Sequence, residues 1–226
     1  MLLHIPEILA PQQIRECRAL LDQADWIDGL ATAGYQGATV KNNLQLAESS
    51  PLARKLGDSI LAVLERHPLF ISATLPARVY PPMFNRYAEG AYFGSHVDNA
   101  VRLLPGSGMK LRTDISATLF LSEPEEYDGG ELLIEGISGT QSIKLPAGHM
   151  VVYPSTSLHR VEPIRRGTRV ASFFWIQSMV RDAAQRALLF DTDAAIQRLR
   201  QTAGDERAIT QLTNNYHNLL RMWAEV

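Results

Sequence analysis

Asp128-Gly129-Gly130-Glu131-Leu132-Leu133-Ile134-Glu135-Gly136 reads as a turn, a short apolar strand and a second turn. Paired glycines after an aspartate punctuate the chain, and the apolar run beyond them is too short for a helix. The same pattern recurs on both sides. Runs rich in Val, Ile, Leu, Thr and aromatics occupy Val79–Tyr87, Ile115–Leu121, Ser142–Leu145, Met150–Tyr153, His159–Pro163 and Arg169–Gln177. Between them lie breaks such as Gly136–Gly139 and Pro146-Ala147-Gly148. Regularly spaced short strands predict an antiparallel sandwich or barrel, with a jelly roll the natural candidate.

Proline and glycine mark where this region ends. All 12 prolines lie at or before Pro163, and ten of the 15 glycines fall between Gly90 and Gly167. The flanks are therefore read as helical. Pro11 suits a first helical position, with Ile14, Cys17, Leu20, Leu21 and Ala24 as an apolar stripe. Ser50-Pro51 starts a second helix carrying Leu52, Leu56, Ile60, Val63 and Leu64, which should stop before Pro68. Near the end, Ile209, Leu212, Tyr216, Leu219 and Trp223 recur at helical spacing. That stripe either packs on the chain's own core or forms a homodimer seam. The expected class is thus mainly β with flanking helices: an N-terminal helical and loop region over 1–77, a double-stranded β-helix (jelly-roll) domain over 78–178 and a helical C-terminal segment over 179–226.

Composition limits the function classes. At 226 residues the chain can bury a self-sufficient core. Lys+Arg number 22 against 24 Asp+Glu, so there is no general signature for nucleic acid. The single Cys17 excludes an intrachain disulfide and a multi-cysteine zinc site. No apolar run reaches the length of a membrane span, and Met1-Leu2-Leu3-His4-Ile5-Pro6-Glu7 lacks the features of a signal peptide. The expectation is a soluble cytoplasmic protein without nucleic-acid or membrane partners.

His96-Val97-Asp98 is the first chemical candidate. In extended backbone, residues two apart share a side, so an imidazole and a carboxylate converge. Two imidazoles and one carboxylate form the facial triad of non-haem Fe(II) oxygenases. The third ligand must come from a distant strand, and both His159 and His149 qualify. His159 opens a predicted strand and is preferred because an arginine stands shortly after it. That residue, Arg169, lies ten positions on and begins Arg169-Val170-Ala171-Ser172-Phe173-Phe174-Trp175. One alternation sends Arg169, Ala171, Phe173 and Trp175 into the barrel. The opposite alternation turns Arg169 outward. An inward guanidinium requires an anionic partner, and its planar fork matches a carboxylate.

The ordered set His96-x-Asp98, His159 and Arg169 resembles the iron- and 2-oxoglutarate-dependent dioxygenases. It is most similar to the bacterial PKHD-type hydroxylases, relatives of the prolyl 4-hydroxylase alpha-subunit-like group. Asn85-Arg86-Tyr87, Asp128-Gly129-Gly130-Glu131-Leu132 and Tyr153-Pro154-Ser155 also match. The resemblance implies His96, Asp98 and His159 as Fe(II) ligands, and Arg169 as the anchor for the distal carboxylate of 2-oxoglutarate. It makes Tyr87 a further cosubstrate contact. One departure is that Ala171, not serine, stands two residues after the arginine, with Ser172 beside it.

The implied activity is hydroxylation of a small-molecule or peptidyl substrate by O2, with release of succinate and CO2. The resemblance also suggests L-ascorbate as reductant and a link to iron uptake. The alternatives are a non-catalytic sensor of iron or 2-oxoglutarate on the same barrel, and a zinc hydrolase using the same three ligands, which would leave Arg169 without a task. Asn99–Thr113, with Pro105-Gly106-Ser107-Gly108, has too many turn residues for a strand and is read as a lid or substrate loop. Arg102, Lys110 and Arg112 are its candidate substrate contacts.

Overall fold

Residues 1–32, 39–136, 139–202 and 204–225 are described by the computed structural model of the chain. The N-terminal part contains β1 (Leu3–Ile5), α1 (Pro11–Leu21), β2 (Ile27–Asp28), β3 (Lys41–Asn42), β4 (Leu44–Gln45), α2 (Pro51–Leu64) and α3 (Pro68–Thr74). Next come β5 (Pro76–Val79), β6 (Met83–Tyr87), β7 (Tyr92–His96), β8 (Val101–Leu103), β9 (Lys110–Arg112) and β10 (Ile115–Phe120). They are followed by β11 (Tyr127–Gly129), β12 (Leu132–Gly136), β13 (Gly139–Ile143), β14 (Met150–Pro154), β15 (His159–Val161), β16 (Ile164–Gly167) and β17 (Arg169–Ser178). Two helices, α4 (Ala183–Gln201) and α5 (Glu206–Trp223), close the order.

The helix starts follow local chemistry. The Ser50 hydroxyl accepts from the Ala53 N–H at 3.4 Å, and Pro51 fills the first turn, where no N–H is needed. α2 ends at Leu64, and Pro68 then begins α3, capped by the His67 ring, which accepts from the Phe70 N–H at 3.2 Å. This short helix has no counterpart in the expected elements.

Most strands form two facing sheets, as a jelly roll requires, while β11 pairs with β16 and β8 with β9 apart from them. The larger runs β1-β14-β10-β17-β6-β4-β2, with β5 also paired to β17; the smaller runs β13-β12-β15-β7-β3. One face of the larger sheet supplies Ile115, Ala117, Leu119, Met150, Val152, Phe174 and Ile176 to a core shared with Cys17, Leu21, Leu56, Ile60 and Phe70 of the helices. The other face, with Phe120, Val151 and Tyr153, meets Leu132, Ile134 and Val161 of the smaller sheet. Every residue of β10 is buried because both faces are covered.

The expected single strand Val79–Tyr87 is split. Pro81 and Pro82 lack the N–H groups a continuous ladder needs, so β5 pairs with the far half of β17 and β6 with its near half. The Asn99–Thr113 segment also differs from expectation, for it contains the β8–β9 hairpin, with Val101 opposite Arg112 and Leu103 opposite Lys110. The turn residues occupy its tip and leave two three-residue strands. The expected break at Gly136–Gly139 includes residues 137–138, which lie outside the described residues.

At the C-terminus, Tyr216, Leu219, Leu220 and Trp223 pack against Leu75, Val180 and Leu189, so the apolar stripe of α5 is used within the chain. Glu225 then returns to the barrel, where its N–H donates to the Met179 carbonyl at 2.7 Å and its carboxylate pairs with Arg112 at 3.1 Å. Among the described residues, no helix is long and apolar enough to cross a membrane.

Gly129 sits at φ +76°, and a Cβ there would lie 2.1 Å from the Pro163 carbonyl oxygen. Gly106, at φ +73°, has open space around it. Gly129→Ala is therefore expected to cost about 2–3 kcal/mol, lowering Tm by roughly 4–12 °C. Gly106→Ala should cost only about 1 kcal/mol. Thermal denaturation of both variants checks the ranking.

Candidate active site

β7 and β15 pair antiparallel with His96 opposite His159, so two imidazoles far apart in sequence share one rung of the smaller sheet. Asp98 follows two residues after His96. One ligand atom from each of His96, Asp98 and His159 lies within 4.8 Å of the others. His149 is elsewhere: its Nδ1 lies 2.8 Å from His4 Nε2, and the two rings stack on the exposed side of β1. The structure therefore brings together the preferred set and leaves His149 out.

Hydrogen bonds fix which nitrogen faces the cluster. His96 Nδ1 lies 2.8 Å from the Gly94 carbonyl and His159 Nδ1 lies 3.0 Å from the Ser157 carbonyl. A carbonyl only accepts, so each Nδ1 donates and each Nε2 keeps its lone pair. Burial, reinforced by the nearby His159, lowers the His96 imidazole to about 4, which keeps it neutral near pH 7. The Phe93 ring stacks on His96 at 3.6 Å between centroids, and Tyr153 meets His159 edge-on at 5.1 Å. Ser116 Oγ donates to Asp98 Oδ2 at 2.5 Å and is itself 2.8 Å from Ser155 Oγ. Carbonyls behind the imidazoles and a hydroxyl behind the carboxylate are the support that orients metal ligands.

Arg169 lies deeper in the same pocket, 1% exposed. Its alternation is the inward one, for Val170, Phe174 and Ile176 join the helix-side core. Ser172 also faces away from the pocket and donates to the Met83 carbonyl at 3.0 Å. The Arg169 guanidinium lies 5.3 Å from the Tyr87 ring centroid and 5.2 Å from that of Phe120, and no carboxylate pairs with it among the described residues. Its Nε and Nη1 have no hydrogen-bond partner. Gly130 makes room for it, since a Cβ there would come within 3.2 Å of Arg169 Cδ. Burying a guanidinium this way is costly unless an anion completes the site. Tyr87 is opposite Arg169 in the β6–β17 register and is 1% exposed. Burial pushes its phenol above the usual range, while the adjacent guanidinium pulls the other way.

The pocket joining these groups is also lined by Asn85, Lys41, Arg102 and Trp175. Of the three hairpin cations, only Arg102 lines it. Arg112 is committed to Asp114 at 2.7 Å and to Glu225, and Lys110 is exposed. Sequence reasoning missed Ser116 and Lys41. Ser116 did leave a signal, a hydroxyl inside the otherwise apolar run Ile115–Leu121.

Comparison with known proteins accords with this geometry. Residues 82–177 match the 2OG-Fe(II) oxygenase superfamily, and residues 183–225 match the PKHD-type hydroxylase C-terminal domain. A PKHD-type hydroxylase of Paraburkholderia phymatum is 62% identical over 226 residues, covering 100% of both chains. The chain belongs to the PKHD-type hydroxylases. A relative from Burkholderia ambifaria is 64% identical over 227 residues, again with 100% of both chains covered. Among solved structures, a Pseudomonas putida prolyl-4-hydroxylase superposes with a TM-score of 0.54 at 19% identity, covering 78% of this hydroxylase and 92% of that chain. HygX of Streptomyces hygroscopicus, solved with nickel and 2-oxoglutarate, gives a TM-score of 0.52 at 14% identity over 78% and 82% of the two chains. These likenesses establish the jelly-roll fold, and membership of the family makes the hydroxylase a 2OG-Fe(II) oxygenase.

The donor set suits Fe(II), since two imidazole nitrogens and a carboxylate are the ligand types that would hold it as a facial triad. His159→Ala is expected to abolish Fe(II) binding in anaerobic calorimetric titration. His149→Ala should leave it intact, and the opposite pattern would move the metal set to the β1–β14 side.

Proposed function

We propose that His96, Asp98 and His159 hold Fe(II) and that Arg169 anchors the distal carboxylate of 2-oxoglutarate, with Tyr87 beside it. The enzyme then hydroxylates a C–H bond of its substrate with O2 while 2-oxoglutarate becomes succinate and CO2. The observation that carries this reading is the buried Arg169 with unpartnered nitrogens in the same pocket as the His-Asp-His cluster. A hydrolytic metal site has no use for such a group. Iron and 2-oxoglutarate, when bound, supply the oxygen chemistry, and the protein supplies position and electrostatics.

The chain's own tasks are set by its contacts. The Gly94 and Ser157 carbonyls hold the two imidazoles in the tautomer that presents Nε2. The Ser116 hydroxyl takes up one lone pair of Asp98 Oδ2 and directs the rest of the carboxylate to the cluster. Arg169 offers a planar pair of N–H donors where the low local polarity strengthens each bond to an anion. Phe120 beside it and Leu132 in the same pocket keep that end of the barrel apolar, which limits competing water.

From the family resemblance come three further elements of the proposal: ascorbate as reductant, a cytoplasmic location and a role in iron uptake. The C-terminal helices are proposed as the seam of a homodimer, with exposed Leu188 and Met222 available to it. The division into 1–77, 78–178 and 179–226 stands as the proposed domain plan.

Adding 2-oxoglutarate to the anaerobic Fe(II) protein should produce a visible charge-transfer absorption, followed in air by succinate formation. Arg169→Ala is expected to weaken 2-oxoglutarate by roughly ten- to hundredfold, the scale of a charge-assisted hydrogen bond, and to leave Fe(II) affinity within about twofold. Unchanged cosubstrate affinity in this variant would remove Arg169 from the site.

A further inference from the structure

Arg102 is held in an unusual way for a hairpin arginine. Its guanidinium carbon stands 4.1 Å over the Trp175 ring centroid and 4.9 Å over that of Tyr80, and the side chain is 15% exposed. The two rings stand edge to face at 82°, so together they hold the guanidinium in place by cation–π contact. Its N–H groups are only partly used, the Tyr80 hydroxyl being one neighbour. The one carboxylate near the guanidinium among the described residues is Glu48, with a closest N···O of 3.6 Å, beyond hydrogen-bond range. Glu48 Oε2 is already 3.4 Å from the Tyr80 hydroxyl, and Arg102 Nε has no partner. Arg112, ten residues on in the same hairpin, shows the contrast: its nitrogens bond to Asp114, Glu225 and the Ser178 carbonyl.

Position adds to this. Arg102 comes four residues after Asp98 and lines the metal pocket with Val97, Asn99 and Trp175. Lys41 lines it too, with Nζ 5.4 Å over the Phe93 ring, next to His96 in the pocket wall. Burial and then the charge of Arg102 bring the Lys41 ammonium down to about 8, so the two cations feel each other across the pocket. Arg169 accounts for the cosubstrate at the deep end. Arg102, near the His-Asp-His cluster, has no such assignment.

We infer that Arg102, braced by Trp175 and Tyr80 and assisted by Lys41, binds a carboxylate on the substrate and so sets the specificity of the hydroxylation. The substrate class is therefore an organic acid whose reacting C–H lies a short distance from its carboxylate. This rests on the iron and 2-oxoglutarate reading given above and adds the substrate side of the same pocket. The planar fork recognises the carboxylate in bidentate fashion, and arrival of the anion relieves the repulsion between the two cations.

The test uses the full chain loaded with Fe(II) and saturating 2-oxoglutarate. The probes are matched pairs of small molecules differing only in a carboxylate or its primary amide. Binding is read anaerobically as a perturbation of the charge-transfer band, and turnover as succinate released in air. In the unmodified protein, carboxylates should bind roughly ten- to hundredfold more tightly than their amides. Arg102→Gln should erase that ratio and Arg102→Lys should retain part of it, with half-saturation by 2-oxoglutarate within about twofold in both. A purely structural Arg102 would lower thermal stability in these variants and leave the carboxylate-to-amide ratio unchanged, which overturns the inference. It is equally overturned if no carboxylate perturbs the band, or if acid and amide bind alike. Failure of the band to form at all is a separate result, and it removes the iron and cosubstrate reading underneath.

Discussion

Strand β17 lies between β10 and β6 in the larger sheet, with a helical layer against one face and the barrel interior against the other. Covering both faces lets ten consecutive residues run from the deep end of the pocket to the C-terminal helices with little contact with water. The same covering makes its first residue expensive. Arg169 brings a charge into a place whose walls are Tyr87 and Phe120, and its only proposed compensation is a ligand. Stability and function are thus opposed at one end of one strand. Elsewhere along β17 the sheet gains from burial alone.

This two-sided burial also explains what could and could not be read from the residues. The starts of α1 and α2 were legible because Pro11, Ser50 and Pro51 act on their own first turns. The barrel was legible because turns between short strands need Gly and Pro. The phase of Arg169 was not, since Val170, Ala171 and Ser172 are all buried and alternation carries information only when one face is wet. The β8–β9 hairpin was hidden for another reason. Its strands are three residues each, shorter than a periodic pattern can register, and Pro105 to Gly108 dominated the reading.

At the site, His96-Val97-Asp98 declared itself locally because two side chains on one extended segment share a face. Its union with His159 is a long-range matter of register, which spacing alone does not determine; His149 satisfied the same spacing argument and faces the other way. Ser116 and Lys41 were missed because their roles depend on neighbours from other strands. Arg102 was named together with Lys110 and Arg112, and only packing separates it from them. Arg112 and Arg102 are arginines on one short ribbon, yet one is spent on tying β9 to Asp114 and Glu225 while the other is presented to the pocket.

The pairing of His96 with His159 has a thermodynamic side as well. The two residues meet on one rung of the β7–β15 ladder, at a place where the register slips before Val161 and the ladder is interrupted. An ion shared by both imidazoles and Asp98 would clamp the two strands together where their ladder is irregular. Metal affinity then becomes part of the folding free energy. Without such an ion the chain would be the looser form, opening more readily where β7 meets β15 and so more readily cleaved. Scarcity of the metal would lower the amount of this enzyme as well as its activity.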